Sequence, residues 1–284
     1  MSTFKNQAAL SYNGATTVSN TVTGEITGVL TAAKNSLADC YFANSRLTYI
    51  ISLINSGDAA LTDVTVTDDL GEFELGDASF TPLSYVEGSA ACFVDGVLSA
   101  PPAVSAADGL IFSGLTVPAN GNTLIVYEAE ANGYAPLDAG SCITNTASVT
   151  GARIGSAVTA SETVPAMSEA MLSIAKSLSP LSVNENGSLT YTFVIENTGS
   201  APAEGDPGPV LSDTFDPVLT ELTATLNGAA LNEGEGYTYD EATGEFETMP
   251  GVLSIPAASY ARGSDGSVTV TPGKAVLTVS GKLG

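Results

Sequence analysis

The sequence predicts an all-β protein, two tandem β-sandwiches with a donor strand at the N-terminus. Three observations lead there. Alternating, β-branched segments recur along the whole chain, Asn-Gly and Asp-Gly pairs punctuate them, and the chain repeats itself once with its ends out of phase with the repeat. The 284 residues suffice for two domains of ordinary size, and a hydrophobic content of 44% lets each bury a core.

Taken in order, segment 6–12 puts Asn6, Ala8, Leu10 and Tyr12 on one face, because side chains alternate along a strand. Segments 48–54 and 61–67 in the first half, and 189–195 and 275–279 in the second, have the same period of two. Turn pairs stand at Asn13-Gly14, Asp95-Gly96, Asn132-Gly133, Asn186-Gly187 and Asn227-Gly228. The one helical candidate is the short segment 168–174.

Composition narrows the function. With 31 acids against 8 bases, a net charge of −23 excludes non-specific binding to nucleic acid and attraction to anionic lipid. With no His, triads that use it are excluded, and three Cys cannot supply four zinc ligands. No Asp-x-Asp-x-Asp-Gly loop is present, so the acidic loop 203–208 and the hairpin 233–236 read as solvated turns; no metal and no cofactor is expected. No stretch of about 18 apolar residues exists, so no membrane insertion is expected, and the first residues carry no basic and apolar leader. Cys40, Cys92 and Cys142 read either as small buried hydrophobes or as one disulfide plus a free thiol.

The repeat is the most informative feature. Leu30-Thr31-Ala32-Ala33-Lys34 matches Leu172-Ser173-Ile174-Ala175-Lys176, Leu47-Thr48-Tyr49 matches Leu189-Thr190-Tyr191, and Asn55-Ser56-Gly57 matches Asn197-Thr198-Gly199, all at one interval. Thr67-Asp68 answers Ser212-Asp213 after a small insertion. Asn6 to Leu10 matches Asn145 to Val149, which begins the expected last strand of the first repeat, and the second repeat reaches Gly284 before its own copy falls due. The expected organisation is a donor strand and linker at 1–22, one domain at 23–165, and a second at 166–284 short of its last strand. A sandwich with an open slot and a bare edge invites another strand, and the head-to-tail product of such exchange is a filament. Return of residues 6–12 to the same chain's second domain is the competing arrangement.

The run Leu-Thr-Tyr, Asn-Ser/Thr-Gly, Val-Thr-Asp and Ile143-Thr144-Asn145-Thr146-Ala147-Ser148-Val149 resembles the conserved-repeat domain of bacterial surface proteins, the "domain of unknown function eleven" type, twice over nearly the whole chain. The paired layout is similar to that of clostridial spore-appendage and related surface-fibre subunits. The resemblance implies immunoglobulin-like sandwiches, a structural role rather than an enzymatic one, and a location outside the cell, on a cell or spore surface.

Lysine is scarce, and Lys34 and Lys176 fall at one equivalent position. Strand parity puts Lys34 with Leu30 and Ala32, Asp68 with Val64 and Val66, Asn145 with Ile143, Ala147 and Val149, and Asp213 with Leu211. Polar groups on apolar faces must meet one another, because an unpaired buried charge is costly. Lys, Asn and an acid in a dry core resemble the constellation that forms an intramolecular isopeptide bond in several immunoglobulin-like fimbrial domains. Burial favours a neutral amine and a protonated acid, the amine attacks the amide carbon, and the acid donates to the amide oxygen and shuttles protons. The first set is Lys34, Asn145 and Asp68; the second is Lys176 and Asp213 with Asn6 of a neighbouring chain.

The leading expectation is therefore a structural subunit of a self-assembling surface filament, whose partners are copies of itself and an anchoring protein on the cell or spore. The alternative is a monomeric adhesin-type stalk or ligand-binding module.

Overall fold

The structure is a computed structural model that describes every residue except Met1, Thr27, Ala107, Asp108, Asp206 and Gly284. Met1 at the head of the expected donor segment and Asp206 in the acidic loop thus lie outside the described residues. The protein is all-β, with no helix among the described residues, and its two units are immunoglobulin-like sandwiches in tandem. One compact unit comprises residues 1–136 and 141–166, the other 137–140 and 167–284.

The chain opens with a hairpin, not with the single strand expected. β1 (Ser2–Asn6) pairs with β4 (Val22–Ile26), and β2 (Ala9–Tyr12) pairs with β3 (Ala15–Val18). Asn13 and Gly14 turn the corner with φ of 50° and 81°, the left-handed pair that a two-residue hairpin turn needs. Between the Asn6–Val22 and Ala9–Val18 pairs the return strand carries one more residue than the leading strand, so it alone bulges. The leading strand keeps its parity, and Phe4, Asn6, Ala8, Leu10 and Tyr12 share one face. All five are exposed, Phe4 at 54% and Leu10 at 69%.

Unit 1 continues with β5 (Leu30–Ser36), β6 (Arg46–Asn55), β7 (Leu61–Asp68), β8 (Ala91–Val94), β9 (Val97–Ser99), β10 (Ala103–Ser105), β11 (Leu110–Val117), β12 (Gly121–Ala131), β13 (Cys142–Thr150) and β14 (Val158–Pro165). One sheet has the order β9-β8-β12-β6-β5, the other β10-β11-β7-β13-β14. Their facing side chains, among them Leu47, Ile51, Val64, Val66, Phe112, Ile125, Ala147 and Val149, are buried. Burial of this kind stabilises by roughly 25 cal/mol for each Å² of apolar surface removed from water.

Unit 2 contains β15 (Leu172–Ser179), β16 (Ser188–Asn197), β17 (Ser212–Thr214), β18 (Leu219–Leu226), β19 (Ala229–Leu231), β20 (Tyr237–Tyr239), β21 (Glu245–Thr248) and β22 (Gly273–Leu283). The larger sheet has the order β15-β16-β22-β18-β19, the smaller β17-β21-β20. The helical candidate at 168–174 forms no helix; Leu172, Ile174 and Lys176 also fit a period of two, and pairing with β16 settles them as strand. The repeat's asparagines explain its tightest motif. Asn55 and Asn197 are fully buried, and the Oδ1 atom of each accepts from the backbone N–H of the glycine two residues on at 2.9 Å. The Nδ2 of Asn55 donates to the carbonyls of Ala59 and Pro118, and that of Asn197 to those of Ala201 and Pro256.

The cysteines form no disulfide. Cys92 is buried, Cys40 half-buried and Cys142 exposed, so the disulfide alternative is corrected, and small buried hydrophobe describes Cys92 alone. Among the described residues no group of acidic or sulfur ligands could hold a metal ion, and no helix is long and apolar enough to cross a membrane.

Candidate functional site

The site of unit 1 lies between its two sheets. Lys34 on β5 faces Ile51 in register, with Tyr49 one diagonal step away, and Tyr49 is directly opposite Tyr127 on β12. From the other sheet, Asp68 on β7 is opposite Ala147 on β13, two residues from Asn145. Strand parity thus delivers every group to the same dry layer. Lys34, Asp68 and Asn145 are all buried.

Lys34 Nζ donates to Asp68 Oδ2 at 2.6 Å, with both side chains fully shielded from water. The same oxygen accepts from the Tyr127 hydroxyl at 2.6 Å, and Asp68 Oδ1 accepts from the Leu70 backbone N–H at 3.1 Å. Asn145 Nδ2 donates to the Tyr127 hydroxyl at 3.1 Å. Two buried polar atoms in this layer have no partner, Asn145 Oδ1 and the Tyr49 hydroxyl. Buried polar atoms are seldom left so, because the cost is that of a lost hydrogen bond. The Lys34 amine also lies over the Tyr49 ring, 5.1 Å from its centre.

Burial pushes the Lys34 ammonium below the usual lysine range, against the opposing pull of Asp68, Asp69 and Glu162. Burial likewise holds the Tyr49 and Tyr127 phenols above the ordinary tyrosine value. Burial thus moves the amine towards the neutral form, the form in which a lysine is a nucleophile.

The sequence reading brought together Lys34, Asp68 and Asn145 and missed both tyrosines. It also aimed Asp68 at the Asn145 amide oxygen, whereas no hydrogen bond joins the two residues. The register sets Asn145 two positions from Asp68's strand partner, and Tyr127 from the facing sheet fills the gap. Tyr49 had a signal, for Tyr191 repeats it in Leu-Thr-Tyr; Tyr127 had none, because Val279 stands opposite Tyr191 where Tyr127 stands opposite Tyr49. Asp69 serves the backbone instead, accepting from the N–H groups of Gly71 and Thr146.

Unit 2 repeats half of this layer. Lys176 pairs with Asp213 and lies over the ring of Tyr191, 4.6 Å from its centre. Here the pair is open to water, the Lys176 side chain being 40% exposed. Lys176, Ile174 and Leu172 lie in register with buried Phe193, Ile195 and Asn197, yet Ile174 itself is 59% exposed. The cause is the neighbouring strands. In unit 1, Asp68 is paired in register on both sides, with Leu110 and with Ala147. In unit 2, Asp213 is paired with Phe246 on one side, and among the described residues no strand pairs with the other edge of β17. Nothing described takes the place that β13 and β14 hold in unit 1. Asn6 and the expected interface residues Ala8, Leu10 and Tyr12 stay on the exposed hairpin of unit 1.

No family model matches the chain, and no curated protein does. Among solved structures the chain is similar to a family 123 glycoside hydrolase from Clostridium perfringens, at 11% identity over 49% of this chain and 28% of that one, with a TM-score of 0.30. It is similar to BcpA, the major pilin subunit of Bacillus cereus, at 12% identity over 95% of this chain and 73% of that one, with a TM-score of 0.36. It is also similar to the pilus backbone RrgB of Streptococcus pneumoniae, at 12% identity over 86% of this chain and 55% of that one, with a TM-score of 0.33. The chain thus spans about a quarter of the hydrolase and about half of RrgB. Likenesses this distant, shared between a hydrolase and pilins, carry no weight for function.

Proposed function

We propose that the protein is a structural subunit of a self-assembling surface filament, in which the N-terminal hairpin of one molecule completes unit 2 of the next. One observation carries the reading. The exposed face Phe4, Asn6, Ala8, Leu10 repeats the pattern of the buried face Ile143, Asn145, Ala147, Val149 of β13, with the Asn and Ala identical and the flanking positions apolar, while the edge of β17 where such a strand belongs is unpaired among the described residues. An apolar face and an open sheet edge both gain from strand addition, through apolar burial and ladder hydrogen bonds.

In the same reading the Lys34 amine condenses with the Asn145 amide within unit 1. A donated Asn6 brought to Lys176 and Asp213 offers the equivalent bond between chains. The two-repeat surface-protein class resembled by the sequence and an anchor on the cell or spore fit this role.

The test is assembly of the purified chain, followed by electron microscopy and sedimentation. Filaments are expected from the full chain and none after deletion of residues 1–26. A full chain that stays monomeric, with its hairpin protected from protease, has closed on itself and refutes exchange; one that stays monomeric with a free hairpin supports the stalk instead.

A further inference from the structure

We propose that the Tyr127 hydroxyl is a catalytic residue of the Lys34–Asn145 condensation, the relay that carries a proton to the departing amide nitrogen. This rests on the cross-link proposed above and adds to it the group that the sequence did not reveal.

The argument starts from the leaving group. An amide nitrogen leaves as ammonia, so Asn145 Nδ2 must gain a proton as its bond to Cγ breaks. Asp68 bonds to Lys34 and Tyr127 and makes no hydrogen bond to Asn145; the Tyr127 hydroxyl does contact Nδ2, at 3.1 Å, and contacts Asp68 Oδ2 at 2.6 Å. Among the described residues it is the one group hydrogen-bonded to both. Its ring is fixed between Tyr49, stacked at 5.6 Å, and Phe112 at 5.3 Å, so the hydroxyl is held in place. No water need enter this layer.

The protons balance. Transfer from the Lys34 ammonium to Asp68 gives a neutral amine and a neutral acid. The amine adds to Asn145 Cγ, forming the Nζ–Cγ bond and placing negative charge on Oδ1. Nζ then returns a proton to Asp68 as Asp68 passes its own to the Tyr127 oxygen, and Tyr127 gives its proton to Nδ2. The Cγ–Nδ2 bond breaks, ammonia leaves, and Cγ=Oδ1 re-forms. Tyr127 ends as it began, Asp68 gives the proton that it took from the Lys34 ammonium to the departing ammonia, nothing is oxidised, and one amide replaces another. The orphaned Oδ1 is where the transient charge collects, and the orphaned Tyr49 hydroxyl is in the same layer.

The experiment is cell-free synthesis of the full chain, with intact mass followed over time and the Lys34–Asn145 link located by peptide mass mapping. The wild type is expected to lose one ammonia in unit 1. Tyr127→Phe is expected to slow that loss about 100-fold, the usual worth of a positioned proton donor. Circular dichroism shows whether this variant folds. Where it does not, 3-fluorotyrosine placed at 127 alone keeps the shape and makes the phenol more acidic, and a changed rate is expected. Ammonia loss at the wild-type rate in Tyr127→Phe, or an unchanged rate with the fluorinated residue, overturns the relay while leaving the cross-link intact. A wild type that loses no ammonia overturns the cross-link itself and the relay with it.

Discussion

Lys34 and Lys176 occupy the same strand position in their units, and only Lys34 is sealed from water. Both pair with the aspartate that the repeat places at the end of the next matched segment, Asp68 or Asp213. The difference in burial sets what each pair is worth. Removing one partner of a buried pair leaves a bare charge in a dry layer, which costs about 3–5 kcal/mol, whereas an exposed pair is worth about 0–1 kcal/mol. Asp68→Ala in a chain that also carries Asn145→Ala, so that no cross-link forms, is therefore expected to destabilise unit 1 by about 3–5 kcal/mol relative to Asn145→Ala alone. Asp213→Ala is expected to change unit 2 by no more than about 1 kcal/mol. Denaturant unfolding checks both, and equal effects of the two would contradict the burial difference.

Alkaline pH gives a second expectation, with a definite sign. The Tyr49 and Tyr127 phenols keep their protons in the folded chain at pH values where the unfolded chain has released them. Their contribution is intact below the free-tyrosine value of 10.0 and is lost as the pH rises past it. In a chain without the cross-link, Lys34 acts in the opposite direction. Its lowered value means that stability rises as the pH climbs from that value towards 10.5, where a free lysine loses its proton. Unfolding of unit 1 is expected to become easier above pH 10.0, and less steeply so in Tyr49→Phe; identical pH profiles for the two would count against a shielded phenol.

Much of this site was legible because a strand has a period of two. Parity alone put Lys34, Asp68 and Asn145 on inward faces, and the repeat singled out Lys34 from a handful of lysines. What parity cannot give is which residue of the facing sheet stands across the gap, so Tyr127 stayed hidden. The repeat hid it further, since Val279 is its counterpart. The return strand of the hairpin was read as linker for a different reason. Thr16, Thr17, Ser19 and Asn20 make it polar, yet an Asn-Gly turn, β-branched residues and pairing with the leading strand suffice to hold it in a ladder. Asn55 and Asn197 were visible as a repeated motif, but their work, tying a turn to a neighbouring connection, needed the fold to be seen.

Exposure of the hairpin face separates assembly from folding. Leu10 at 69% exposed and Ile174 at 59% exposed make few contacts for the monomer to lose. Leu10→Asp and Ile174→Asp are each expected to leave the melting of the monomer within about 0.5 kcal/mol of wild type, as surface changes usually do, while abolishing filaments. Sedimentation against thermal melting reads the two effects apart. Normal filaments from either variant would show that these faces do not meet.

The two cross-links are expected to form in order. Unit 1 has Tyr127 between acid and amide, and the unit 2 layer has Val279 at that position. Ammonia loss at Lys34–Asn145 should therefore precede any at Lys176–Asn6. Young filaments should come apart in hot detergent into chains already linked within unit 1, and older ones should resist it. Gel analysis with mass mapping over time tests the order, and a bond between chains that forms first would reverse it.

The strand-addition surface can also be addressed from outside. A peptide of residues 1–26 carries the whole donor face, and the chain lacking those residues carries the acceptor without a tethered competitor. An isolated two-stranded hairpin is marginal in water, so the peptide must order as it binds and pays that entropy on docking. It gains the burial of Phe4, Leu10, Tyr12 and Val22, all exposed in the free hairpin, together with backbone hydrogen bonds along β17. Binding with one peptide per chain is expected, and Leu172 and Ile174 should become protected as it forms. Added to the full chain in excess, the peptide should cap growing ends and shorten filaments, whereas a peptide with Phe4→Asp and Leu10→Asp should do neither. Calorimetry and filament length distributions measure the two effects. Filaments of unchanged length at saturating peptide would mean that the growing surface lies elsewhere than the open edge beside Asp213.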